Sequence, residues 1–311
     1  MRSVLALIVT AAAIVAAVAL FGGSMLQDPR AAGVKVPAGG PLPLAVEPDP
    51  DDSPEMDLTA PPIALAPPGG AIVQQGLVRI PKPKIDLKGA RRVGIQIGHL
   101  DTTNVPKEYG TRIQFQTGTS WAGYKEVDVN EEIAERIATL LKAQGIEVDL
   151  IPTTVPEGYV ADAFVALHCD GDGVGELSGF KMAHSTRRNP YEDALLNSIK
   201  SSYANATGLP YDAEHISRAM VNLYSFNWSR YQHATSAFTP STIIELGFLS
   251  NDEDREILVN HADRVATGVV NGLLSFLDTH PRSKLFAEDL LIPQAPIRQG
   301  PVVTPSPGTN P

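Results

Sequence analysis

Two histidines and two glutamates carry the chemistry this sequence can do. His99 follows the apolar run Val93-Gly-Ile-Gln-Ile97, with Gly98 between, and His168 follows Ala163-Phe-Val-Ala-Leu167. Glu245 sits late in the apolar run Thr242-Ile-Ile-Glu-Leu246, and Glu126 lies on the loop leaving Trp121-Ala-Gly-Tyr124. A carboxylate in an apolar strand is expensive unless it is paired, protonated or at the wet end of the strand. Two imidazoles and one carboxylate make a tripod for zinc that leaves a fourth position for water. A further carboxylate beside that water can take its proton and later deliver it to a leaving nitrogen. Zinc brings the pKa of such a water toward about 7, so the nucleophile exists at neutral pH. Four such residues are the minimum kit for amide hydrolysis. The helical H-E-x-x-H pattern of other zinc peptidases is absent from the sequence.

These residues need a scaffold that brings strand ends to one rim. Val93–Ile97, Val148–Ile151, Ala163–Leu167, Gly179–Ala183 and Thr242–Leu246 read as strands, rich in β-branched and apolar residues. Asp128–Ala143 reads as a helix with Ile133, Ile137, Leu140 and Leu141 on one face and Asp128 with Glu131 as a capping box. Gly145 is its stop signal. Tyr191–Ala204, Ser217–Leu223 and segments across 252–279 read as further helices, with Ser250 and Glu253 as a second capping box. Alternating strands and helices predict an α/β fold, a single domain with a mostly parallel sheet flanked by helices. Ligands of such sheets gather beyond the carboxyl ends of the strands, where His99, His168 and Glu245 are expected.

The expected domain spans 89–280. Ahead of it, residues 1–27 read as a signal peptide or membrane anchor: Arg2 precedes the uncharged apolar run 4–21. Either reading places the rest outside the cytoplasmic membrane, secreted or tethered to it. Residues 28–88 are rich in Pro and Gly and read as a disordered linker, and 281–311 as a Pro-rich tail. The net charge of −10 gives nucleic-acid binding no support. The single cysteine, Cys169, rules out an intrachain disulfide. Strand alternation points it away from His168, so it reads as a packing residue.

In this setting four stretches resemble the zinc-dependent N-acetylmuramoyl-L-alanine amidases of the Amidase_3 cell-wall family. They are Ile95-Gln-Ile-Gly-His99, Glu126-Val-Asp-Val-Asn130 with its helix, Ala161-Asp-Ala-Phe-Val-Ala-Leu-His168, and Ile244-Glu-Leu-Gly-Phe-Leu-Ser-Asn251 with Asp254. The last is the most specific, and together they cover nearly all of 92–279. The resemblance implies zinc on His99, Glu126 and His168, with Glu245 as catalytic base. It also implies peptidoglycan as substrate, cut between the lactyl group of N-acetylmuramic acid and L-alanine. The sequence departs from the family pattern at Ile97, Leu100 and Asp101 around the first histidine, and at Ala166 and Asp170, where the family has Ser and Asn.

Asn222–His233 is dense in aromatic and amide side chains, which suit sugars and peptides. Asn227, Arg230 and His233 are its candidates for substrate binding. Asp172 and Glu176, in a Gly-rich loop, are a minor cation candidate. His184, His215, His261 and His280 read as ordinary surface or core residues. Two rival functions remain: a non-catalytic peptidoglycan-binding or regulatory module on the same fold, and a zinc amidohydrolase acting on another N-acyl amino acid or peptide.

Overall fold

The structure is a computed structural model that describes residues 72–74, 77–186 and 189–293. The apolar run 4–21, most of the Pro-rich linker and the end of the tail lie outside the described residues. All described residues fall in one compact unit. Among the described residues no helix is long and apolar enough to cross a membrane.

In chain order the elements are β1 (Ile72–Gln74), β2 (Leu77–Ile80), β3 (Arg92–Ile97), β4 (Ser120–Trp121), β5 (Tyr124–Lys125), α1 (Glu126–Ala143), β6 (Glu147–Ile151), β7 (Ala163–Asp170) and β8 (Lys181–Ala183). They continue with α2 (Glu192–Thr207), α3 (Arg218–Val221), β9 (Ser241–Phe248), α4 (Asp252–Asn260), α5 (Ala262–Thr279), α6 (Arg282–Leu285) and β10 (Leu290–Pro293).

The central sheet has the order β6-β3-β7-β9-β8. Its first four strands run parallel, and β8 lies antiparallel on the β9 edge. The α/β fold expected from the sequence is therefore the observed one. Residue alternation sorts the two faces. Val165, Leu167, Ile244 and Leu246 pack with Ile133, Ile137 and Leu141 of α1, Ile199 and Tyr203 of α2, and Val269 and Phe276 of α5. Phe164, Ala166 and Ile243 face the other way, under Tyr159, Met220 and Phe226. Burial on both faces explains why these strands read as continuous apolar runs.

Several local expectations need correction. α1 begins at Glu126, with Lys125 at its N-cap and no side-chain cap, so Asp128 and Glu131 form no capping box. Leu140 is half-exposed, off the buried stripe. α4 is capped by Asn251, whose side chain accepts from the Glu253 and Asp254 N–H groups, instead of by Ser250. Ser250 Oγ instead donates to Asp172 Oδ1 at 2.7 Å.

The structured region also exceeds 89–280. β10 pairs antiparallel with β2, which also pairs with β1. Leu285 and Phe286 are buried in the main core. Arg282 Nε reaches Asp162 Oδ2 at 3.1 Å, and Arg91 Nε reaches Asp162 Oδ1 at 2.8 Å. Proline and glycine density led the sequence reading to end the domain early. Buried apolar residues and a buried carboxylate between two guanidiniums hold these flanks instead.

Candidate metal centre

β3 ends at Ile97, and the chain turns sharply. The Gly98 N–H donates to the Leu167 carbonyl at 3.0 Å. A Cβ on Gly98 would meet the His168 ring and that carbonyl at 2.6 Å. His99 then takes a left-handed backbone, with φ of 64°. This conformation is uncommon for a residue with a side chain and is held at functional sites when the surroundings enforce it. Here the enforcement is visible: His99 Nδ1 donates to the Gln116 carbonyl at 2.8 Å. That bond assigns the proton to Nδ1 and leaves Nε2 with its lone pair.

His99 Nε2 lies 3.2 Å from Glu126 Oε1, and His168 Nδ1 lies 3.0 Å from the same oxygen. The imidazole rings stand edge to face, with centroids 4.8 Å apart. At this distance His99 Nε2 and the carboxylate oxygen need a positive centre to share, either a proton on Nε2 or a cation against both. The three side chains offer one ligand atom each, all within 4.8 Å of one another. Two imidazole nitrogens and one carboxylate oxygen are the donor set of an open zinc tripod. The residues fit the ion on these grounds.

The shell behind the ligands is equally ordered. Glu126 is the first residue of α1 and is buried at 3% exposure. Its Oε2 accepts the Thr119 N–H at 2.9 Å, and its Oε1 accepts the Cys169 N–H at 3.1 Å. Asn130, one turn on, donates to Oε1 at 3.4 Å. Burial raises the Glu126 pKa, but His99 and His168 outweigh it and hold the carboxyl well below its ordinary value. Burial pushes the His168 imidazole below its ordinary value, which favours the neutral, metal-binding form. Cys169 is buried on the helix side of the sheet, and burial drives its thiol pKa well up. It is packing, as alternation implied, and no thiolate nucleophile.

Glu245 stands beside this group. β7 and β9 pair His168 with Glu245 directly across the parallel register. His168 therefore lies inside its strand, not past its end, because β7 continues to Asp170 through a register shift. Burial, with the charges of Asp170 and Glu126, pushes the Glu245 carboxyl well above its ordinary pKa, while Lys181 opposes them. Its Oε2 is buried with no hydrogen-bond partner. A buried, unpaired carboxylate oxygen is costly, and beside a cluster of candidate ligands it makes Glu245 a functional-site candidate.

The other sequence candidates lie in loop contacts. His233 Nδ1 meets Glu108 Oε1 at 2.8 Å. Arg230 lies over the Tyr231 ring at 5.4 Å, and Asn227 Oδ1 accepts from Ser229 Oγ at 3.2 Å. Asp172 spends both carboxylate oxygens on its own loop: Gly175 N–H at 2.6 Å, Glu176 and Leu177 N–H at 2.7 Å each. This makes it a turn-builder, not the cation ligand considered above. Sequence reasoning missed Gln116, whose carbonyl holds His99, Gly118, where a Cβ would come within 2.8 Å of Glu126 Oε2 and His99 Cδ2, and Lys181, opposite Glu245. Of these only Lys181 left a signal, a cation within the apolar stretch Phe180–Ala183.

Residues 93–275, more than half the chain, match the family described as N-acetylmuramoyl-L-alanine amidase, Amidase_3. The chain belongs to that family. No curated protein sequence matches it. Among solved structures, the N-acetylmuramoyl-L-alanine amidase of Clostridium difficile 630 is 18% identical, with TM-score 0.42, covering 61% of this chain and 98% of its own. Ami1 of Mycobacterium smegmatis, an N-acetylmuramyl-L-alanine amidase, is 19% identical, with TM-score 0.47, covering 61% and 97%. AmiC2 of Nostoc punctiforme, also an N-acetylmuramoyl-L-alanine amidase, is 18% identical, with TM-score 0.41, covering 61% and 99%. The assignment rests on the family match, not on these overlaps.

Proposed function

We propose that this amidase is zinc-dependent and hydrolyses the amide bond between N-acetylmuramic acid and L-alanine in peptidoglycan. The observation that carries the reading is the His99–Glu126–His168 tripod with Glu245 in register beside it. Zinc held by the tripod supplies Lewis acidity, which polarises a carbonyl and makes water acidic near neutral pH. His99 is aimed by the Gln116 carbonyl, and Glu126 is fixed by N–H groups of Thr119 and Cys169. Glu245 takes the proton of the attacking water on its buried carboxylate and gives it to the departing alanine nitrogen.

The enzyme acts outside the cytoplasmic membrane on this reading, with the apolar run 4–21 as its address. Mass analysis of fragments released from peptidoglycan by the full-length chain tests the proposal. Stem peptides with a new L-alanine amino terminus are expected, lost with chelator and restored by zinc. Cleavage at another bond, or activity indifferent to chelation, overturns it.

A further inference from the structure

We propose that Lys181 is a positioning residue for Glu245: a buried ammonium, one strand over, that fixes where the glutamate's carboxylate sits. The inference rests on the amidase reading and names a residue the sequence motifs do not include.

β8 pairs antiparallel with β9, and Lys181 lies directly opposite Glu245. Directly opposed residues share a sheet face. Phe180 and Met182 pack in the helix-side core, whereas Ala183 packs on the other side with Ile243, two residues before Glu245. Lys181 shares that second face and is only 4% exposed. A lysine so deeply buried needs fixed partners. Its ammonium is ion-paired with Asp170, donates to the His215 carbonyl at 2.9 Å, and lies 4.9 Å from the Phe248 ring centroid.

These contacts immobilise the charge. An ammonium has three N–H donors. The Asp170 carboxylate and the His215 carbonyl engage two of them. Across the register, Glu245 Oε2 is a buried oxygen with no hydrogen-bond partner, and Asp170 and Glu126 are anions acting on it. Lys181, opposite Glu245 on the same face, places a buried positive charge beside them without a direct hydrogen bond to the glutamate. Asp170 also replaces the Asn of the family pattern, so an added anion and a buried cation occur together beside the same glutamate.

The rival explanation is that Lys181 serves only to neutralise Asp170. Lys181→Met alone leaves Asp170 without its cation and risks failing to fold. The paired variant Asp170→Asn/Lys181→Met removes both charges, a change buried ion pairs commonly tolerate. The full-length variant is compared with wild type for kcat, KM, zinc affinity by chelator competition, and the Glu245 conformation in a crystal structure.

A positioning role predicts wild-type zinc affinity, KM within about twofold and kcat lower by about tenfold. It also predicts a Glu245 carboxylate that no longer holds a single orientation. Wild-type kcat in the paired variant overturns the proposal. If the wild-type chain itself releases nothing from peptidoglycan, the amidase reading fails. The Glu245 conformation then decides Lys181 alone, and a single unchanged orientation in the paired variant overturns the inference.

Discussion

His168 and Glu245 lie directly opposite each other on neighbouring parallel strands. The pairing sets an imidazole of the candidate metal centre and an unpaired carboxylate oxygen side by side on one sheet face. Sheet register, a backbone property, therefore fixes a juxtaposition on which the proposed chemistry depends. Apolar neighbours lock that register, since a slip of one residue would exchange Glu245 with Ile244 or Leu246 across the sheet.

Glu245→Gln separates base from scaffold. The amide keeps the shape but cannot carry the proton. Zinc affinity should stay at the wild-type level and kcat should fall by roughly 100-fold or more. Stability should hold or rise, because the substitution removes a carboxyl whose charged form is disfavoured by burial first and by Asp170 and Glu126 next. Thermal unfolding and a chelator competition run beside the assay check this. A lower Tm together with lost zinc would assign Glu245 a structural role.

Gly118 leaves the space that His99 and Glu126 occupy. Its φ is +79°, and a Cβ there would come within 2.8 Å of both Glu126 Oε2 and His99 Cδ2. Gly118→Ala should therefore push two of the three candidate ligands off their geometry. We expect zinc affinity to drop by about 10- to 100-fold, the range seen when ligand-orienting contacts are lost. Isothermal titration with zinc measures it. Unchanged affinity would show that the loop carrying Gln116 and Gly118 yields without moving the imidazole.

The residues that the fold gathers at the candidate metal centre stood out in the sequence because histidines and glutamates at the ends of apolar runs contradict their surroundings. The sheet was legible because its strands, buried on both faces, are almost uninterrupted apolar stretches. Longer-range features were not. Lys181 becomes meaningful only when β8 folds back antiparallel beside β9 and meets Asp170 from a third strand. Gln116 acts through its carbonyl, which any residue type supplies. The ends of the domain were misplaced because proline density at 281 concealed the buried Leu285 and Phe286 just after it.

Asp172 offers a pH-dependent stability test. Burial raises its pKa, but N–H groups of Leu177, Gly175 and Glu176 and the Ser250 hydroxyl outweigh this and lower it strongly. A depressed folded-state pKa stabilises above the unfolded value of about 3.9, and the gain is lost as pH falls toward the folded value. Wild type should exceed Asp172→Asn in urea midpoint by a constant gap near neutrality. The gap should narrow progressively below about pH 4. A gap that widens on acidification would contradict the loop-building role.

Residues beyond His280 should be needed for stability. Phe286 is buried at 1% exposure and Leu285 at 2%. Arg282 supplies one of the two guanidiniums on Asp162, whose carboxylate is wholly buried. The Tyr191 hydroxyl donates to the Lys284 carbonyl at 2.9 Å, and β10 pairs with β2 along four residues. A chain stopped after His280 loses all of these, whereas one stopped after Pro293 keeps them. Losing one buried phenylalanine side chain costs about 3–5 kcal/mol, and half-stripping a buried carboxylate adds to that. Urea unfolding of the two truncations should therefore separate them by at least about 4 kcal/mol. Phe286→Ala in the longer chain should recover most of that difference. Equal midpoints for the two truncations would return the domain boundary to residue 280 and make α6 and β10 accessory.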